Sequence, residues 1–191
     1  MKHNGRGELV IGASSRSRDI AVAFAQAGVP TEVSDDVTGA LWAKLVVNCA
    51  FNGLSAIGQL PYGPMMAVDG VPETMRAIVE ECLLVAERSG VAMSDDVRSA
   101  VSALAPSMPN QMSSTAQDLA RGKQSEIDSL NGFIVQTGEQ LGLPTPANRA
   151  VWTAVKLLEA KAAADRLDAN SFRRPLAGRH GVATGLIEPA A

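Results

Sequence analysis

Apolar positions recur along most of this chain with the spacing of an α-helix rather than the alternation of a strand. The exception is the beginning. Residues 8–12 (ELVIG) form a short apolar run ended by glycine, and 31–34 (TEVS) a second short strand. Between them, 16–27 carries Ile20, Phe24 and Ala27 at helical spacing, with Gly28 as a C-terminal stop. This is one β-α-β unit, too small to make a sheet alone. From there the pattern is helical. Asp35 and Asp36 supply an acidic N-cap for a long helix over 37–57. Pro61 and Pro64 break the chain after it, and Pro72 sits in the first turn of a helix over 71–89 whose inward face is Met75, Ile78, Val79, Cys82, Leu83 and Val85. Ser94 and Asp95 cap a helix running to about 104, before Pro106 and Pro109. Further helices are predicted over 113–121, 126–141 and 147–164, punctuated by Gly122, Gly142, Pro144 and Pro146. The pattern dissolves after that. The expected organisation is a β-α-β unit over 1–34, an all-α domain over 35–165 and a disordered tail over 166–191.

Composition supports the helical reading. The chain has 191 residues, 46% apolar, but aromatics make up only 4%, which suits helices packed on helices better than a β-sandwich. A net charge of −3 gives no global pull toward nucleic acid or anionic membrane. Cys49 and Cys82 lie far apart with no CxxC, so neither a disulfide scaffold nor a metal site is expected, and both read as buried free thiols. His3 and His180 sit in the two tails, so no catalytic histidine is assigned. There is no signal-peptide pattern, and no window of about 18 uncharged apolar residues. The expectation is a soluble, cytoplasmic protein.

Within the long helix, Lys44, Asn48 and Asn52 stand at i, i+4 and i+8. Each step advances about 40°, so the three fall within a stripe of about 80°. Their neighbours Leu41, Trp42, Leu45, Val46, Val47, Cys49, Phe51 and Leu54 are apolar nearly all round, which predicts a buried helix. Two readings stand. The stripe is the solvent face of an amphipathic helix, or it is a cleft wall offering an ammonium and two carboxamides to a polar small molecule. Against the first, two amides are poor helix formers on an exposed face. In the second, desolvation tunes the lysine as a proton donor.

A second constellation lies in SSTAQDLARGKQSEIDSLNG, residues 113–132. Ser113 and Ser114 open a helix, as ordinary caps or as part of a carboxylate or phosphate site. Glu126, following Ser125, is either a first-turn acid complementing the helix dipole or a functional carboxylate.

Taken together, W-x-K-x-x-x-N-x-x-x-N from Trp42, S-S-x-x-x-D from Ser113, S-E-I-D-x-x-N-G from Ser125 and G-x-P-T-P-x-N from Gly142 resemble the C-terminal domain of the ketopantoate reductase family. The resemblance runs from about 9 to 161. It implies an all-α domain of the 6-phosphogluconate dehydrogenase C-terminal type, which closes over substrate bound next to an N-terminal NADPH-binding Rossmann domain. It implies that Lys44 is the general acid, that Glu126 binds substrate and steadies the lysine, and that Asn48, Asn52 and Ser114 hold the substrate. At position 111 the family usually carries Asn; here Gln111, one methylene longer, is expected to alter substrate grip or choice. Gly5 and Gly7 are followed by no third glycine at fingerprint spacing, so the β-α-β unit is read as the end of a largely missing nucleotide domain.

The expected function is the substrate-binding, proton-donating half of an NADPH-dependent 2-keto acid reductase, inactive alone. Two alternatives stay open: a helical interaction module without activity, and a paralogue acting on another 2-keto acid. The bare apolar face of the β-α-β unit predicts a homo-oligomer.

Overall fold

The computed structural model of the chain describes residues 9–94 and 96–171. The early glycines, His3 and His180 therefore lie outside the described residues. Strands β1 (Leu9–Gly12) and β2 (Thr31–Ser34) pair in parallel, Leu9 opposite Thr31, and are joined by α1 (Ser17–Gln26). The helical body follows: α2 (Val37–Gly58), α3 (Tyr62–Met66), α4 (Val71–Arg88), α5 (Asp96–Ser107), α6 (Ser114–Ala120), α7 (Asn131–Leu141) and α8 (Pro146–Ser171). The all-α domain preceded by a β-α-β unit is thus observed.

Local signals act as expected at several ends. Asp36 caps α2 by accepting from the Gly39 amide at 2.8 Å, and proline occupies the first turn of α4. Helix α2 is the axis of the body, packed on α4, α5, α6 and α8. It is long and apolar enough to cross a membrane, yet its Val46, Cys49, Ala50 and Phe51 are buried in the main core with Ile78, Cys82 and Val85 of α4. Burial of these residues accounts for the hydropathy of the later half of the helix. Cys49 and Cys82 are free and buried, and burial pushes the Cys49 thiol up, reinforced by the adjacent Cys82. A smaller cluster of Ala56, Ala116, Ile127 and Val155 joins α2, α6 and α8 beneath the site described below.

Four expectations are corrected. Residues 62–66 form a helical turn where only a break was expected, and α5 runs through Pro106. The predicted helix over 126–141 is two pieces: a 3₁₀ turn, Ile127–Ser129, and α7, divided at Leu130 with φ −108° and ψ −106°. The division turns the Asn131 side chain inward, where its amide donates to the Cys49 carbonyl at 3.1 Å and to Asn148 Oδ1 at 2.9 Å. Helix α8 continues to Ser171 rather than ending near 164, so 166–171 is helical; residues 172–191 lie outside the described part.

Candidate active site

The predicted stripe is a gradient along α2. Lys44 is exposed, Asn48 half-buried and Asn52 buried. Each step along the stripe rises about 6 Å. The start of α2 is covered on fewer sides than its end, and Leu41, expected inside, is 62% exposed. The uniformly buried helix is therefore corrected: among the described residues, the half carrying Lys44 is open.

The geometry separates the two serines. Ser113 is buried and structural. Its hydroxyl accepts from the Ala116 amide at 3.0 Å and donates to the Asn52 carbonyl at 3.1 Å, tying the start of α6 to α2. Ser114 is exposed, with its Oγ 3.5 Å from Asn52 Nδ2. At that distance the contact is loose, leaving both groups able to serve a ligand. Gln111 does not join them: its side chain donates to the Met112 carbonyl at 2.8 Å, within its own loop.

Glu126 precedes the 3₁₀ turn; its carbonyl accepts from the Ser129 amide at 2.9 Å, while its exposed side chain makes no capping hydrogen bond. Its flanks are fixed. Ser125 donates through both amide and hydroxyl to Glu159 Oε1, at 2.7 and 2.8 Å. Asp128 accepts from Trp152 Nε1 at 2.7 Å and from Lys156 Nζ at 2.8 Å. Lys156 and Trp152 hold the Asp128 carboxyl below its usual range. Burial alone would push Glu159 up, but the Ser125 donors and Lys156 more than reverse it. In return, Asp128 and then Glu159 raise Lys156. Ile127, between these anchors, is buried against α2 near Gly53, one residue beyond Asn52. The structure thus brings Asn52 and Ser114 together, sets Lys44 and Asn48 on the same helix face, and holds Glu126 in a braced turn packed on that helix.

Sequence reasoning gave no role to Glu81, Asn131 or Asn148. Glu81 receives the Ala147 and Asn148 amides at 2.8 and 2.9 Å, capping α8, and Asn148 Nδ2 donates to the Ile78 carbonyl at 3.2 Å. The recurrence of Asn in N-G and P-x-N was the only signal, and it did not separate structural from functional amides. Among the described residues, no group of three or more His, Cys, Asp and Glu gathers to hold a metal.

The fold is an all-α body after a parallel β-α-β unit, with Lys44, Asn48 and Asn52 on one face of its central helix. The profile described as "Ketopantoate reductase PanE/ApbA C terminal" matches residues 36–159, and the chain belongs to the ketopantoate reductase family. It is 33% identical over 168 residues to 2-dehydropantoate 2-reductase of Vibrio cholerae serotype O1, covering 83% of this chain and 55% of that protein. The corresponding reductase of Archaeoglobus fulgidus is 33% identical, with 80% and 51% covered. The chain spans about half the length of these curated relatives. Among solved structures, a PanE/ApbA family ketopantoate reductase from Ralstonia eutropha JMP134 superposes with a TM-score of 0.83 at 56% identity, covering 85% of this chain and 54% of that one. A D-mandelate dehydrogenase solved with NADH and anilino(oxo)acetate shares the fold, with a TM-score of 0.76 at 21% identity over 85% of this chain and 70% of its own.

Proposed function

We propose that this chain carries the substrate-binding and proton-donating half of an NADPH-dependent 2-keto acid reductase of the 2-dehydropantoate 2-reductase type, acting in the cytoplasm. The observation that carries the reading is the shared face of Lys44, Asn48 and Asn52, with Ser114 against Asn52. A 2-keto acid presents a carboxylate and a ketone. In this reading the amides and Ser114 hold the carboxylate, and Lys44 Nζ gives its proton to the ketone oxygen as the carbonyl carbon is reduced. Glu126, held in its braced turn, binds substrate and steadies the ammonium.

NADPH, when bound, supplies the hydride. The described residues do not form its site: they hold one pair of parallel strands, and the turn after β1 reads Gly12-Ala13-Ser14-Ser15-Arg16, with side chains where a dinucleotide turn needs glycines. Turnover therefore requires a cofactor-binding part beyond them, and the described part alone is expected to be inactive.

The test joins this chain to the cofactor-binding half of the Ralstonia relative and follows ketopantoate-dependent NADPH oxidation. Lys44→Ala in that fusion is expected to lower kcat by about 10²-fold or more, as loss of a general acid does. A near-normal kcat would make Lys44 structural and overturn the reading.

A further inference from the structure

The segment that carries Glu126 is a single 3₁₀ turn, with backbone bonds from the Ser129 amide to the Glu126 carbonyl at 2.9 Å and from the Leu130 amide to the Ile127 carbonyl at 3.2 Å. Side chains of α8 hold it from outside. At about 100° per residue, Trp152, Lys156 and Glu159 fall within a stripe of about 60° on that helix. Trp152 Nε1 and Lys156 Nζ donate to the two oxygens of Asp128, at 2.7 and 2.8 Å. Glu159 Oε1 takes both Ser125 donors, and Lys156 Nζ also reaches Glu159 Oε2 at 3.1 Å. The stripe therefore grips the chain at 125 and at 128, on either side of Glu126, and one ammonium joins the two grips. Ile127, buried with Ala56, Ala116 and Val155, pins the middle. Glu126 itself is exposed, with its backbone fixed from both flanks and its carboxylate open to a ligand.

We propose that Trp152, Lys156 and Glu159 are positioning residues for Glu126, acting on the reaction through that carboxylate without touching substrate. The inference rests on the role of Glu126 in the keto acid reading above. Two observations carry it. Lys156 and Asp128 are more than a third exposed, so their pairing adds little to stability; what directional bonds at such a place do fix is a geometry. The open side of Lys156 and Glu159 is a depression shared with Lys123 and Arg166, and none of Lys44, Asn48, Asn52 or Ser114 lines it. The clamp thus stands behind Glu126, away from the polar face of α2. A functional carboxylate needs such support, because its placement has to hold to within about 0.5 Å.

The first test uses this chain alone and needs no activity. Nitrogen-15 relaxation is expected to give the Glu126 amide an order parameter of about 0.85, as in rigid backbone, falling toward about 0.6 when Lys156→Gln and Trp152→Phe are combined. An unchanged value would show that α8 does not hold Glu126 and overturn the proposal. The second test is a double-mutant cycle in the fusion described above, read as kcat/KM for ketopantoate. Lys156→Gln keeps most of the side-chain stem and Trp152→Phe keeps an aromatic ring, so the fold is retained; Glu159→Ala removes the other grip. Each is expected to lower kcat/KM about tenfold, less than the ~10²-fold that 1 Å of misplacement costs. In a Glu126→Ala background the same changes are expected to cost no more than about twofold, because no carboxylate is left to position. If they cost as much without Glu126 as with it, or cost nothing where Glu126→Ala costs tenfold or more, the positioning role is wrong and the keto acid reading survives. If Glu126→Ala leaves kcat/KM unchanged, the role of Glu126 falls and this proposal with it.

Discussion

The side chains that brace Glu126 are ionised, so the brace depends on pH. Asp128 and Glu159 sit below their usual carboxylate range and Lys156 above its own. Lowered carboxyls stabilise the fold above their unfolded values, and that contribution fades as pH falls through their folded values. A raised lysine stabilises below its unfolded value, near 10.5, and its contribution fades as pH climbs through its folded one. Lys156 and Asp128 are more than a third exposed, so solvent screens them and the lysine contributes less than about 1 kcal/mol. Lys156→Gln is therefore expected to lower the urea midpoint slightly and evenly from about pH 5 to pH 10, with the difference vanishing outside that window. A difference that persists at pH 2 would show that the lysine acts through its stem, not its charge.

Helix α2 approaches α8 so closely that one position admits no side chain. A Cβ on Gly53 would collide with Val151 Cγ1. Valine in a helix is stiff at χ1, so it does not turn aside, and the helices would have to part. A mid-helix glycine itself costs about 0.5–1 kcal/mol relative to alanine, and here close packing offsets that cost. Gly53→Ala is expected to destabilise the chain by about 1–3 kcal/mol in urea unfolding despite the better helix former. A neutral or stabilising result would mean that the contact between α2 and α8 is softer than drawn. The same approach places Asn131 and Ile127 against α2, so packing between elements, rather than the helix ends, sets where the Glu126 turn lies.

At the scale of the whole molecule, the β-α-β unit presents exposed apolar side chains. Val10, Val22 and Phe24 are 49%, 56% and 41% exposed, and α1 packs chiefly on β2 rather than on the helical body. An exposed apolar face of this kind is the usual mark of an interaction surface, and association is the outcome expected of it. The chain in isolation is expected to associate, and light scattering well above micromolar concentration should give at least twice the single-chain mass. A mass that stays at one chain would show that the face tolerates water. The likeness to D-mandelate dehydrogenase, at 21% identity, is one of fold alone, and fold alone does not choose a substrate.

Periodicity and punctuation determined most of the elements, because helices, their caps and a β-α-β unit are encoded by residues within a few positions of one another. The stripe of Lys44, Asn48 and Asn52 and the pair of buried thiols were legible for the same reason. What sequence distance hid was decided by tertiary structure. Ser113 and Ser114 are neighbours of one kind, and only the meeting with Asn52, 62 positions from Ser114, makes one a structural tie and leaves the other free. The break at Leu130 follows from Asn131 reaching Cys49, 82 positions away, a partner that no local pattern announces. Lys44 is open because helices cover the later half of α2 more fully than the earlier half, and burial of a helix face depends on which neighbours arrive, not on its own sequence.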